Sequence, residues 1–109
     1  MTPEEFAGTC KALGHPARIK ILSLLLTNDC CVCGQIAHAL PLAQSTVSEH
    51  LRQLREGGMV TTEARGHCTC YRVNHRTIRR FKKSVVFLEE GGFPDAIQSE
   101  IKGTGRSTA

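Results

Sequence analysis

Long apolar runs are missing from this 109-residue chain. The longest apolar-rich stretch, Ile19 to Leu26, is broken by Lys20 and Ser23. Nothing approaches the ~20 apolar residues that span a bilayer as a helix, so no membrane partner is expected. The first residues, Met1-Thr2-Pro3-Glu4-Glu5, are acidic and adjoin no apolar segment. They do not read as a secretory signal, and the expected location is cytoplasmic. Six cysteines in that setting read as reduced thiols for metal or redox chemistry, not as a disulfide framework. A Ser–His–acid arrangement, a Gly-rich phosphate loop and paired carboxylates in an evident pocket are also missing, so an enzyme is not expected. No internal repeat interrupts the chain. Its length suits one domain with one modest core, and 40% hydrophobic with 22% charged residues is ordinary globular composition.

What is present is unevenly charged. The net charge is +4. From Gln44 to Lys83 nine basic residues (Arg52, Arg55, Arg65, Arg72, Arg76, Arg79, Arg80, Lys82 and Lys83) face three acidic ones, Glu49, Glu56 and Glu63. That stretch carries +6 and the remainder −2. A basic half on a small domain points to a polyanion, although a solvated surface has the same charge.

The segment Thr2 to Leu13 reads as a helix, with Thr2 as cap, Pro3 at the first position and Glu4 and Glu5 near the positive end of the dipole. Its apolar stripe is Phe6, Cys10 and Leu13. Gly14-His15-Pro16 breaks the chain, and a second helix, rich in Ile and Leu and expected to be buried on most of its surface, runs to about Thr27. A short third helix covers about Cys33 to Leu40 and stops at Pro41. From Leu42 to Gly58 a fourth helix carries Val47, Leu51 and Leu54 as a narrow apolar stripe and is polar elsewhere. Gly57 or Gly58 supplies its left-handed stop. Two short helices joined by a tight turn make a helix-turn-helix.

The period then changes to about 2. Met59 to Ala64 and Cys68 to Val73 read as strands joined by Arg65-Gly66-His67. A hairpin after a recognition helix is a wing. Arg76 to Glu90 returns to helical period with Ile78, Phe81, Val85 and Leu88 on one face, and Gly91-Gly92-Phe93-Pro94 stops it. The expected fold is mainly α with a small β-hairpin, a winged helix-turn-helix of order ααααββα. Residues 1–92 form the DNA-binding and dimerisation domain. Residues 93–109 form a partly disordered tail, with a short amphipathic turn at Ile97 and Ile101.

Four stretches together resemble the ArsR/SmtB-type metalloregulators, the arsenical-resistance and metallothionein-repressor family. They are Leu13-Gly14-His15-Pro16-Ala17-Arg18-Ile19-Lys20-Ile21-Leu22, then Cys31-Val32-Cys33, then Gln44-Ser45-Thr46-Val47-Ser48-Glu49-His50-Leu51 through Gly58-Met59-Val60, and Gly66 through Tyr71-Arg72-Val73-Asn74. They span about Phe6 to Glu90. The Ser-Thr-Val-Ser-x-His-Leu run is shared among several families of winged repressors; Cys-Val-Cys narrows the match to soft-metal sensors. The resemblance implies a homodimer, paired mainly through its first and last long helices, that represses its own operon until a soft metal or metalloid binds.

Spacing predicts the DNA-reading face. With Val47, Leu51 and Leu54 turned inward, Gln44, Ser45, Ser48, Glu49 and Arg52 point outward. Gln pairs with adenine, Glu accepts from cytosine, and Ser serves base or phosphate. The family uses the positions of Gln44, Ser45, Ser48 and Glu49 in this way. The expected set on double-stranded operator DNA is Gln44, Ser45, Thr46, Ser48, Glu49 and Arg52, with Arg65 and His67 at the wing tip.

Cys30, Cys31 and Cys33 cluster at a helix N-terminus, where the dipole favours thiolate, and clustered thiolates select soft ions. Trivalent arsenic or antimony takes three sulfurs; divalent cadmium, lead or zinc takes three or four ligands. The family's arsenite site places a third Cys where this chain has Ile36. Cys30 is the nearest substitute, so the expected inducer site is Cys30, Cys31 and Cys33 with arsenite or antimonite. Cys10 is a further possible thiol, and equally reads as a small core residue on the stripe with Phe6 and Leu13. Cys68 and Cys70 stand i, i+2 on one strand face. They either chelate, supply the missing ligand or replace apolar residues by chance. The family's zinc site at both ends of the last helix is absent, because His75 and Thr77 meet Leu88 and Gly91. The alternatives on the same fold are a redox sensor of peroxide or reactive sulfur, in which the clustered thiols oxidise, and a cadmium/lead sensor that takes a divalent soft metal (cadmium, lead or zinc) as inducer. A metal-buffering protein is a third reading, and leaves the helix-turn-helix unused.

Overall fold

The computed structural model describes residues 1–93; the segment 94–109, expected as tail and amphipathic turn, lies outside the described residues. Five helices and three short strands follow in the order α1 (Pro3–Leu13), α2 (Pro16–Thr27), β1 (Cys31–Val32), α3 (Cys33–Ala39), α4 (Gln44–Glu56), β2 (Val60–Arg65), β3 (Cys68–Val73) and α5 (His75–Glu89). The helix starts are set locally. The Thr2 hydroxyl accepts from the Glu5 N–H at 3.1 Å while the Glu5 carboxylate accepts from the Thr2 N–H at 2.8 Å, a reciprocal capping box. His15 Nδ1 accepts from the Ala17 N–H ahead of α2, and Asn74 Oδ1 from the Thr77 N–H ahead of α5. The stop after α4 is Gly58, at φ 78°, a conformation that favours glycine.

One core joins these elements. Ile21, Leu22 and Leu25 of α2, Ile36 and Ala37 of α3, and Val47, Leu51 and Leu54 of α4 pack with Met59, Val60, Val73 and Cys31. The predicted stripe of α4 is its buried face: Val47 and Leu54 are 0% exposed and Leu51 1%. Side chains of this size contribute ~1.5–3 kcal/mol each on full burial.

Four features differ from the sequence reading. The first is β1, a two-residue strand too short to show a period. It pairs antiparallel with β3, Cys31 opposite Tyr71 and Val32 opposite Cys70, so the wing is part of a three-stranded sheet ordered β1-β3-β2. The second is the rotation of α1. Its buried residues are Thr9 and Ala12, and Cys10 is exposed. The reason is close backbone approach: the Thr9 hydroxyl donates to the Gly57 carbonyl at 3.1 Å, and a Cβ placed on Gly57 would collide with the Ala12 Cβ. Only small residues fit that crossing, so the apolar stripe does not set the buried face. The third is α2, which leaves Ile19 and Leu26 about half exposed. The fourth is Phe93, assigned to the tail by sequence, which packs on Phe6 and Phe87 with ring centroids 5.2 and 5.9 Å apart.

Candidate DNA-reading face and thiol site

Gln44, Ser45, Thr46, Ser48, Glu49 and Arg52 all lie on α4 and all are exposed. Helix period puts them opposite the buried stripe. Arg65 and His67 are exposed at the wing tip, where Arg65 pairs with Cys68 and a two-residue turn, Gly66-His67, joins the strands. Gly66 sits at φ 61°, the first-position requirement of a II′ hairpin turn.

The face is internally neutralised. Arg52 donates to Glu49 from Nε at 2.9 Å and from Nη2 at 2.6 Å, and its Nη1 meets Glu56. Hydrogen bonds from Arg52, then Gln53, hold the Glu49 carboxyl down at about 2. Arg65 pairs with Glu63 at 3.2 Å. These pairs are exposed, so each contributes little to stability. Their effect is to hold each basic head against a carboxylate on its own element.

Behind α4, Arg18 Nε donates to His50 Nδ1 at 3.2 Å, and the His15 and His50 rings lie 4.6 Å apart. Burial first, then the charges of His15 and Arg18, push the His50 pKa down. The sequence places His15 in the break between two helices and assigns no role to His50. Their contact crosses 35 residues of chain and has no periodic signal.

The thiols are distributed differently from the expected trio. Cys31 is 6% exposed and belongs to the core. Cys33 is half-buried at the first position of α3, with its Sγ 3.5 Å from the Gln44 carbonyl oxygen. Cys30 is disulfide-bonded to Cys70, with Cα atoms 5.6 Å apart, inside the usual range for such a bond. That departs from the expectation of six reduced thiols. The β1·β3 register sets Val32 opposite Cys70, and Cys30, two residues before Val32, reaches Cys70 diagonally across 40 residues of chain. Strand alternation puts Cys31 on the core side and Cys30 with Cys70 on the opposite face. Cys68 is exposed towards the wing tip. Among the described residues no group of three or more His, Cys, Asp or Glu is gathered tightly enough to hold a metal ion.

The expected thiolate character of the cluster also differs. Desolvation pushes both Cys31 and Cys33 up, so both are thiols in this state. Ile36, where the family's arsenite site has a Cys, is 0% exposed in the core.

No helix among the described residues is long and apolar enough to cross a membrane. Residues 15–62 match the bacterial regulatory proteins of the arsR family. The arsenical resistance operon repressor of Staphylococcus xylosus is 33% identical over 75 residues, 69% of this chain and 71% of that protein. The homodimeric winged helix-turn-helix DNA-binding domain of a possible ArsR-family regulator from Mycobacterium bovis superposes with a TM-score of 0.66 at 29% identity, over 81% of this chain and 82% of that one. An ArsR-like regulator from Rhodococcus has the same fold, with a TM-score of 0.72 at 23% identity over 96% of both chains. With the recognition helix, the wing and these likenesses together, the chain belongs to the ArsR family of winged helix-turn-helix transcriptional regulators, a family of DNA-binding proteins and not of enzymes.

Proposed function

We propose that the protein is a cytoplasmic homodimeric repressor that binds operator DNA and is released when trivalent arsenic or antimony binds its cysteines. The single observation that carries the inducer reading is the Cys33–Gln44 contact. Cys33 belongs to the expected inducer site, and Gln44 is the first residue of the recognition helix. A thiol donates to that carbonyl; a sulfur bonded to arsenic has no proton to donate. Capture of the ion therefore removes a contact that links α3 to the DNA-reading end of α4.

The protonation state favours arsenite over a divalent metal. Arsenous acid condenses with three thiols to give a tris-thiolate and three waters, with no net proton released. A divalent cation must displace thiol protons, which the raised Cys31 and Cys33 resist. Cys31 and Cys33 supply two sulfurs and Cys30 the third. Cys31 of β1 and Cys30 just before it point to opposite faces of the sheet, so one ion reaches both only by pulling β1 off β3. That motion disturbs the wing carrying Arg65 and His67 as well as α3.

Dimerisation is supported by the apolar surface left open on one chain. Val85, Val86 and Leu88 on α5 and Ile19 and Leu26 on α2 are 40–56% exposed, whereas Thr77 and Ser84 are what α5 buries internally. Two recognition helices then meet half-sites ~34–36 Å apart, or a multiple of that spacing.

The test is release of the protein from promoter DNA, titrated in parallel with arsenite, antimonite, cadmium, lead, zinc and peroxide. The expected result is release by arsenite, with affinity lowered ~5- to 150-fold, and three sulfurs by X-ray absorption at the arsenic edge. Cadmium, lead or zinc acting alone would replace the inducer. Release by peroxide with no response to arsenite would make the protein a redox sensor instead.

A further inference from the structure

We propose that Cys30 and Cys70 form a reversible thiol–disulfide pair that gates the inducer site: oxidised, the repressor holds DNA and ignores arsenite; reduced, it responds. This rests on the reading of Cys30 as the third sulfur. Three observations carry it. The two cysteines are joined, with Cα atoms 5.6 Å apart, across the β1·β3 pairing. The bond ties the residue just before β1 to the wing strand. Cys31 and Cys33, the other two inducer thiols, remain free in the same structure.

The bond acts in two ways. It consumes Cys30, leaving two sulfurs where arsenous acid needs three. It also staples β1 to β3, and capture of the ion requires those strands to part. The β1·β3 and β2·β3 registers are backbone pairings, and the outer face of α4 lies on another element, so the oxidised protein keeps its DNA-reading surface.

The roles within the pair differ. Cys30 is half-buried and reached by solvent, whereas Cys70 is 3% exposed. Arg72 shares the Cys70 face of β3 by alternation. Its Nη2 lies 3.2 Å from Glu63 and 4.0 Å from Asp29, the neighbour of Cys30, and its Nε is buried with no hydrogen-bond partner. The oxidant is a hydroperoxide. The Cys30 thiolate attacks the terminal oxygen, the O–O bond breaks, and an alcohol (water, from hydrogen peroxide) leaves with the thiol proton. Cys70 sulfur then attacks the Cys30 sulfenic acid, the S–O bond breaks, and water leaves with the Cys70 proton. Two thiols lose two electrons to one peroxide. A small-molecule dithiol reverses the step by exchange.

The experiment uses the full chain bound to promoter DNA, either reduced with a phosphine or treated with hydrogen peroxide, and titrated with arsenite. Disulfides are mapped by peptide mass after alkylation. The expected result is a Cys30–Cys70 peptide only after peroxide and operator affinity within twofold in both states. Arsenite then releases the reduced protein ~5- to 150-fold but the oxidised protein less than twofold. Cys70→Ala, and Cys70→Val if the alanine variant folds poorly, should respond to arsenite when reduced and, after peroxide, should carry Cys30 as a dimedone-reactive sulfenic acid with no disulfide. An oxidised wild type as responsive as the reduced one, a bond from Cys30 to another cysteine, or a Cys70 variant that still forms a Cys30 disulfide after peroxide overturns the gate. A reduced wild type that ignores arsenite overturns the inducer reading itself, and the gate with it.

Discussion

The outer face of α4 and the β1·β3 seam are built on opposite principles. The α4 face is exposed, made by one helix, and its charges are paired within that helix, Arg52 with Glu49 and Glu56. The seam is made of residues 40 apart in the chain, and its Cys31 and Cys70 are buried. The first suits a large polyanion that approaches from solvent. The second suits a small ligand or oxidant that must enter. The Cys33–Gln44 contact joins α3 at the seam's edge to the first residue of α4.

The contrast can be broken most strongly from inside α4. Leu51→Ala, under the reading face, should cost ~2–5 kcal/mol, whereas Ser48→Ala on the outer face should stay within ~0.5 kcal/mol. Urea unfolding of both variants measures the difference, and equal losses would mean the two faces are not distinct. The seam should show its tertiary origin next. Reducing Cys30–Cys70 should lower stability by ~2–4 kcal/mol, as expected for a loop of this length, read as a shift in urea midpoint with and without reductant.

Function separates the regions further. Cys33→Ser should keep operator binding and lose the arsenite response, shrinking a release of ~1–3 kcal/mol to nearly nothing. Arg52→Ala should do the reverse, weakening the operator complex while leaving the remaining complex arsenite-sensitive. If Arg52 neutralises one phosphate, the salt slope of log affinity should fall by about 1; an unchanged slope would mean it stays paired with Glu49 and Glu56 on DNA. Fluorescence anisotropy at several salt concentrations measures both.

Two pH effects are smaller. Cadmium affinity should rise with pH as the raised Cys31 and Cys33 thiols give up protons, whereas arsenite affinity should stay nearly flat around neutrality. His50 is lowered in the folded state and accepts from Arg18. Below its ordinary value near 6.5 the unfolded chain takes up the proton first. Stability is therefore full at higher pH and is lost as pH falls through 6.5 towards the folded value. His50→Gln should flatten that part of the pH–stability curve, measured by thermal melts.

The sequence by itself determined what depends on local spacing. The stripe of Val47, Leu51 and Leu54 obliges Gln44, Ser48 and Arg52 to point outward, whatever else the chain does. Thr2, His15 and Asn74 cap their helices through bonds to residues two or three positions away. The wing followed from a change of period after Gly58 and a bend at Gly66. Only the tertiary structure decided what depends on distant partners. Cys10 shares an apolar stripe with Phe6 and Leu13, but the approach of α1 to Gly57 turned Thr9 and Ala12 inward and Cys10 out. β1 has two residues and exists because β3 is there to pair with it. Cys30, next to Cys31 in sequence, ended on the other face of the sheet and bonded to Cys70. A two-residue strand has no period to read, and its partner is chosen by how the helices seat the wing against it.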